Sequence, residues 1–550
     1  MRFLGSVRIK LVLLVTAMVA PLCAAQQTNC PRFQAGGEFQ APKSLFSKNG
    51  ALAVSFTYRT RTDASGNVLY CFTDAAGDQS PTLHVRPGDH LILTVKNELP
   101  ASIGSMQMDM APTAHGAHQD YNGCGMTDMT AASVNVHFHG TNVPPTCHQD
   151  EVIKTLINPG QTFTYDVAFP LDEPPGLYWY HPHVHGISEA AVQGGASGAI
   201  VVEGIERVNH SVAGLPERVI IIRDGLVPAA AQQESSLTPP SYDLSVNYTP
   251  VPFPSYQPVV IPMTTHGKEF WRVLNASADA IMDLQLQYDG VAQNLEIVAF
   301  DGVPTGSHDG TGRGQSVWAK HIPLPPAGRV EFIVDAPSPA VRKAQLMTMD
   351  IDTGPDGDDD PKRPLASIRL QHAGSASDLP LLPSETEPLP PAQAMRFDGL
   401  ADTFAITQRK LYFSEVLSDP NDPNSPTNFY ITVDGQTPVL FSPDNPPSIV
   451  TTQGSVEDWT IENRALEVHE FHIHQIHFKV MERNGKHVDD GQYYDTIQVP
   501  YWSGTGPYPS VKLRMDFRGQ VTGDFVYHCH ILGHEDSGMM AIIRVKPKGN

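Results

Sequence analysis

At 550 residues, with 37 lysines and arginines against 59 aspartates and glutamates and a formal charge of -22, the chain exceeds what one hydrophobic core organises. Two to four domains are expected, with three as the central number. There is no long basic run or basic helix face, which argues against nucleic acid as a partner, and the acid excess either favours cationic substrates or simply serves solubility, without identifying a ligand.

The first residues read as a targeting segment. Arg2, Arg8 and Lys10 precede the apolar run Leu11 to Val19, and cleavage near Ala25 is expected, making 1–25 a signal peptide. The run is well short of the roughly 20 residues of a membrane-spanning helix, and no later segment is apolar enough to span. A lipoprotein signal ending at Cys23 is the alternative, although Leu22 is bulky for such a site. Export implies a periplasmic or secreted, disulfide-permissive setting. Without Cys23 the cysteines are Cys30, Cys71, Cys124, Cys147 and Cys529, an odd number, so one is special. The first four allow three connectivities, of which the local pairing Cys30–Cys71 and Cys124–Cys147 is preferred.

The rest of the chain consists of short β-type runs broken by Gly, Pro, Asn and Asp, the pattern of β-sandwiches or barrels. Ser80 to Pro100 reads as strand, turn and alternating strand; Thr162 to Phe169 and Gly198 to Glu203 add strands to a first domain, 26–205. Arg218 to Arg223, Phe270 to Asn275, Leu295 to Phe300 and Val330 to Val334 belong to a second, 206–375. The acidic loop Asp350 to Asp360 lacks the ligand spacing of an EF-hand and reads as a solvated turn. A proline-rich linker, 376–394, precedes a third domain, 395–550, with strands at Val456 to Glu462 and Leu513 to Phe517.

Four HxH pairs stand out: His137/His139, His181/His183, His472/His474 and His528/His530. Side chains alternate faces along a strand, so each pair reads as a two-nitrogen metal grip. Eight imidazoles do not name the metal, since zinc, copper, iron and nickel all accept them. Cys529, interleaved between His528 and His530, sends its sulfur to the opposite face and hence to a second site. His469, His534 and Met539 are available there, and two histidines, a cysteine and a weak axial methionine form the blue-copper ligand set.

HFHG at 137–140, WYHPHVHG at 179–186, HEFHIH at 469–474 and HCHILGHEDSGMM at 528–540 resemble the motifs of the multicopper oxidases, a family that includes laccases and bacterial cuprous oxidases. SPTLHVRPGD, FWRVLNAS and IVAFDGVP extend the resemblance over essentially the whole mature chain. It implies an all-β fold of three consecutive cupredoxin-like Greek-key domains, with copper ligands in the outer two. It also implies four coppers. His469, Cys529, His534 and Met539 would hold type 1, His137 and His472 type 2, and His139, His181, His183, His474, His528 and His530 the type 3 pair. Phe138 replaces a common tryptophan and Glu470 stands where many members have the proline of HPxHxH; neither change removes a ligand. His185 and His477 are expected to pack around the site.

The implied reaction takes electrons singly at type 1 copper, passes them through Cys529 and its flanking histidines, and reduces dioxygen to water. Asp150 and Glu535 resemble the family's proton-relay acids, although Asp150 is followed by Glu151 rather than glycine. The axial Met539 implies a low-to-moderate potential. The leading expectation is a laccase-like oxidase of phenols or aromatic amines. A cuprous or other metal-ion oxidase, and a copper-sequestering or scaffold protein without activity, are the alternatives. Thioethers at Met106, Met108, Met110, Met126 and Met129 suit cuprous ion, but precede the first HxH pair, so a surface loop is the plainer reading.

Overall fold

The computed structural model describes residues 29–101, 123–125, 129–234, 237–306, 314–372, 379–384, 396–422, 424–488 and 491–549. The expected signal peptide, 1–25, and nearly all of the methionine-containing stretch 106–129 lie outside these residues. Strands dominate and fall into six sheets, two in each third of the chain. The short alternating runs account for this locally. Thr162–Ala168 alternates exposed and buried side chains almost perfectly, and each apolar face finds a second sheet to cover it. The fold is all-β, three consecutive cupredoxin-like units.

The three units repeat one detail that the sequence does not advertise. Ala51–Thr62 lies parallel to His90–Asn97, Glu217–Leu226 parallel to Lys268–Asn275, and Thr407–Leu417 parallel to Val456–Asn463. Each second strand ends on a buried asparagine. Asn97, Asn275 and Asn463 each donate two amide hydrogen bonds to carbonyls of separate loops and accept the backbone N–H two residues on. One side chain thus satisfies backbone groups that the end of the strand would otherwise leave buried and unpaired.

In the first unit a five-stranded sheet runs Ser44–Phe46, Thr82–Val85, Gly198–Val202, Gly176–His181, His137–His139. In the third, the corresponding sheet runs Ile449–Thr452, Met540–Lys546, Gly523–Cys529, His469–Ile473, Thr496–Val499. The histidine-bearing strands are therefore sheet neighbours in both. The middle unit brings Val219, Ile221 and Leu274 against Trp179 and Val201 of the first, with Leu532 of the third in the same apolar cluster. The cysteines pair as Cys30–Cys71 and Cys124–Cys147, leaving Cys529 free and buried.

Of the expected linker, residues 379–384 are described, and they do not stand free. Leu381 bridges to Pro216, and Leu382 is buried beside Phe270 and Val298. Proline content makes such a segment extended, but an apolar residue with a hole to fill still docks. Among the described residues no helix is long and apolar enough to cross a membrane.

Candidate metal centre

The four HxH pairs converge where the first and third units meet. His137 sits opposite His181 in one sheet, and His472 opposite His528 in the other. Only His137/His139 lies wholly within a strand; His183, His474 and His530 fall just past strand ends. This changes the reading of each pair as a grip on one metal. Among the described residues the potential metal groups include His137, His139 and His472; His139, His181 and His530; and His183, His474 and His528. Three of the four pairs are split between groups, so the arrangement is one many-metal cluster built by both units.

The ring nitrogens fit metal ions. His137 Nε2, His139 Nδ1, His181 Nε2, His472 Nε2 and His530 Nε2 are buried without a hydrogen-bond partner. The Nε2 atoms of His183 and His474 face that of His528 at 3.3 and 3.2 Å. Buried polar atoms left unpaired in this number are costly unless a cation takes their lone pairs. Burial, then the neighbouring imidazoles, pushes His137, His139, His474 and His530 well below the ordinary histidine range, and burial brings His528 to about 3. The rings are neutral, as ligands must be.

A second cluster lies on the other face of Gly523–Cys529. Cys529 Sγ is 3.6 Å from His469 Nδ1 and 3.8 Å from His534 Nδ1, and the two Nδ1 atoms are 3.1 Å apart. Met539 is fully buried in the same apolar cluster as Cys529. Its carbonyl accepts the Cys529 N–H at 3.1 Å and its N–H donates to the His534 carbonyl at 3.0 Å. Burial pushes the Cys529 thiol well up, so a thiolate there requires a metal's positive charge. His528 Nδ1 also contacts the Cys529 carbonyl at 2.8 Å, joining the two clusters through one residue.

Comparison with known proteins agrees with this geometry. Sequence profiles described as multicopper oxidase match residues 111–207 and 420–549. The chain belongs to the multicopper oxidase family. These are copper-dependent oxidoreductases that use dioxygen as acceptor. The chain is 24% identical to the multicopper oxidase mco of Staphylococcus aureus over 74% of this chain and 76% of that protein. It is 23% identical to a laccase of Bacillus subtilis over 84% and 87%. In fold it is similar to a Campylobacter jejuni multicopper oxidase described as a metallo-oxidase, with a TM-score of 0.64, 22% identity and coverage of 94% and 96%.

In this multicopper oxidase the outer ring nitrogens are held by a second layer of groups. Both Asp150 carboxylate oxygens lie 3.0 Å from His137 Nδ1, one accepts the Phe138 N–H, and Gln475 donates to the other. Burial raises this carboxyl to about 7. Glu535 is fully buried, 3.4 Å from His528 Nδ1 and 3.7 Å from His183 Nδ1, and burial also raises it. Both sequence-predicted acids thus lie against the histidine cluster. His477 contacts the Asp301 carbonyl, and His185 packs edge-on against Phe441.

Sequence reasoning missed Asp495 and Arg329. Asp495 Oδ1 is 3.3 Å from His139 Nε2, and its carbonyl accepts from His472 Nδ1 at 2.8 Å. Arg329, fully buried on a strand of the middle unit, grips Asp495 with both guanidinium arms at 2.7 and 2.5 Å and donates through Nε to the Leu177 carbonyl. The unit without ligands therefore braces the cluster. Gly140 of HFHG makes room for this grip. At φ +83° a Cβ there would collide with Arg329 Nη2 and lie 2.7 Å from Asp495 Oδ2. Three sequence-distant segments meet here, and no local pattern in any of them announces it.

Glu415 and Glu467 were also missed. Glu415 Oε1 is 2.9 Å from His469 Nε2 and Glu467 Oε1 is 3.3 Å from His534 Nε2, both carboxylates being partly exposed. Burial, with Glu415, Asp358 and Asp356 adding like charge, raises Glu467 to about 9. The loop 350–360 is therefore not merely a solvated turn: Asp356 and Asp358 act on Glu467, while Asp360 is buried.

Proposed function

We propose that this multicopper oxidase binds four copper ions. His469, Cys529, His534 and Met539 hold type 1, His137 and His472 type 2, and His139, His181, His183, His474, His528 and His530 the type 3 pair. The unpartnered nitrogens and the sulfur-centred cluster support the reading. Bound there, copper supplies one-electron exchange with a donor at one end and four-electron reduction of dioxygen to water at the other. The chain's own residues orient the rings, exclude water and hold protons. Asp150 and Glu535 carry protons beside the cluster, at His137 Nδ1 and between His183 and His528. We further propose export to the periplasm or exterior after loss of 1–25, and units bounded at 26–205, 206–375 and 395–550 with 376–394 between the last two.

The donor we infer is a metal cation of the cuprous or ferrous kind, in preference to the neutral phenols and aromatic amines first expected. One observation carries this: carboxylates, Glu415 and Glu467, stand against both outer nitrogens of the type 1 histidines, with Asp356 and Asp358 behind them. The acidic groups around Glu467 draw a cation to this mouth, and the Glu467 carboxyl, raised to about 9, gives up its proton as the cation arrives. The test is anaerobic bleaching of the blue absorption by cuprous or ferrous ion and by a neutral phenol. Glu415→Gln should raise the half-saturating metal concentration about tenfold, the equivalent of one near-surface charge contact. The phenol should change by no more than about twofold. An equal loss for both donors would refute a cationic substrate. A colourless, copper-loaded protein without oxygen uptake would favour the sequestering role instead.

A further inference from the structure

Glu470 occupies the place where HPxHxH carries proline, and its backbone is placed differently from its neighbours. On one side it pairs with Gln498 in the ladder between His469–Ile473 and Thr496–Val499. On the other, pairing with Gly523–Cys529 begins only at Phe471↔Cys529. The Glu470 carbonyl accepts the His530 N–H at 2.7 Å, while its N–H donates to Cys529 Sγ at 3.4 Å. An amide that would normally seek a carbonyl has been given to sulfur. The Ile531 N–H also acts on that thiol. Proline has no N–H, so a chain with proline at this place would take the Glu470 donor away from the sulfur.

Hydrogen bonds around the cysteine sulfur tune the potential of a blue-copper site. The reduced site leaves more negative charge on sulfur than the oxidised one, so a donor stabilises the reduced form more. We propose that the Glu470 backbone N–H is a tuning donor to the Cys529 sulfur, holding the type 1 centre at a higher reduction potential than the same centre with proline at 470. It offsets part of the lowering expected from an axial Met539. The carboxyl of Glu470 is a separate matter: it is fully buried, and Gln498 is the polar side chain that acts on it. Variants must distinguish the two groups.

The inference rests on Cys529 being the type 1 ligand. The experiment is a redox titration of the blue absorption in copper-loaded wild type, Glu470→Ala, Glu470→Gln and Glu470→Pro. Alanine and glutamine keep the N–H and should hold the cuprous to cupric ratio within about twofold of wild type at fixed ambient potential. Proline should lower that ratio about tenfold, which is ~59 mV for one electron, with a change in the sulfur-to-copper absorption. If Glu470→Pro and Glu470→Ala titrate alike, the proposal is overturned. Absence of any blue band in wild type would overturn the ligand assignment instead. Should the proline variant not fold, wild type produced in D2O and in H2O serves. The copper–sulfur Raman bands should shift with deuteration, and identical spectra would overturn the proposal.

Discussion

Arg329 is the residue through which the middle unit acts on the copper cluster, and replacing it with methionine tests that role. The change keeps much of the side-chain volume and removes a buried charge whose two arms close on Asp495. Asp495 is left as a buried, unpaired carboxylate 3.3 Å from His139 Nε2. Removing one partner of a buried pair costs ~3–5 kcal/mol, on the order of 10 °C in the unfolding midpoint of a unit of this size. Asp495→Asn alone leaves Arg329 only its longer contact with Asp301, at 3.7 Å, and should cost somewhat less. The double variant removes both charges and should recover at least ~2 kcal/mol of the summed loss, since contacting residues are coupled. Neither single variant should retain its full copper at the histidine cluster, because the Asp495 carboxylate stands against His139 Nε2. Gly140→Ala should mimic the defect by forcing the pair apart. Copper content, thermal unfolding of the metal-free chains and the type 2 paramagnetic signal are the readouts. Additive losses, or Arg329→Met with wild-type copper content and a loss under ~1 kcal/mol, would refute the bracing role.

Cys529→Ser exchanges the sulfur for an oxygen that supports no comparable charge transfer, so the chain should fold and lose its blue colour, while copper remains at the histidine cluster. A variant that stayed blue would remove Cys529 from the type 1 site. Asp360 supplies a pH test. Burial holds its carboxyl up at about 7 against an ordinary 3.8, so the folded chain keeps a proton that the unfolded chain has lost. That contribution is complete below the ordinary value and is lost as pH rises through about 7. Asparagine has no such proton and can still accept the Ile281 N–H that Asp360 accepts at 2.9 Å. The stability of Asp360→Asn relative to wild type should therefore climb by up to ~4 kcal/mol between about pH 4 and about pH 8 and then level off. A difference independent of pH would contradict the buried, protonated carboxyl.

What the chain reveals before folding is whatever its local chemistry repeats. Alternation in runs such as Thr162–Ala168 marks the strands, because a half-buried strand must alternate. The HxH pairs and the interleaved Cys529 mark the copper chemistry, because ligands on one chain segment need a fixed spacing. The odd cysteine separates one free, buried thiol from two disulfides. The shared role of Asn97, Asn275 and Asn463 was written in the sequence too, but became legible only when two carbonyls from other segments closed on each amide.

The tertiary structure alone decided how the HxH pairs divide among metal groups, since that depends on where two sheets from opposite ends of the chain meet. It also decided that Arg329 braces Asp495 across 166 residues of sequence, that Glu415 and Glu467 face His469 and His534, and that the amide of Glu470 reaches sulfur. A sequence motif records atoms that must lie near one another along the chain. Charge pairs, acidic mouths and donors to sulfur join atoms that are near only in space, and folding is what brings them together.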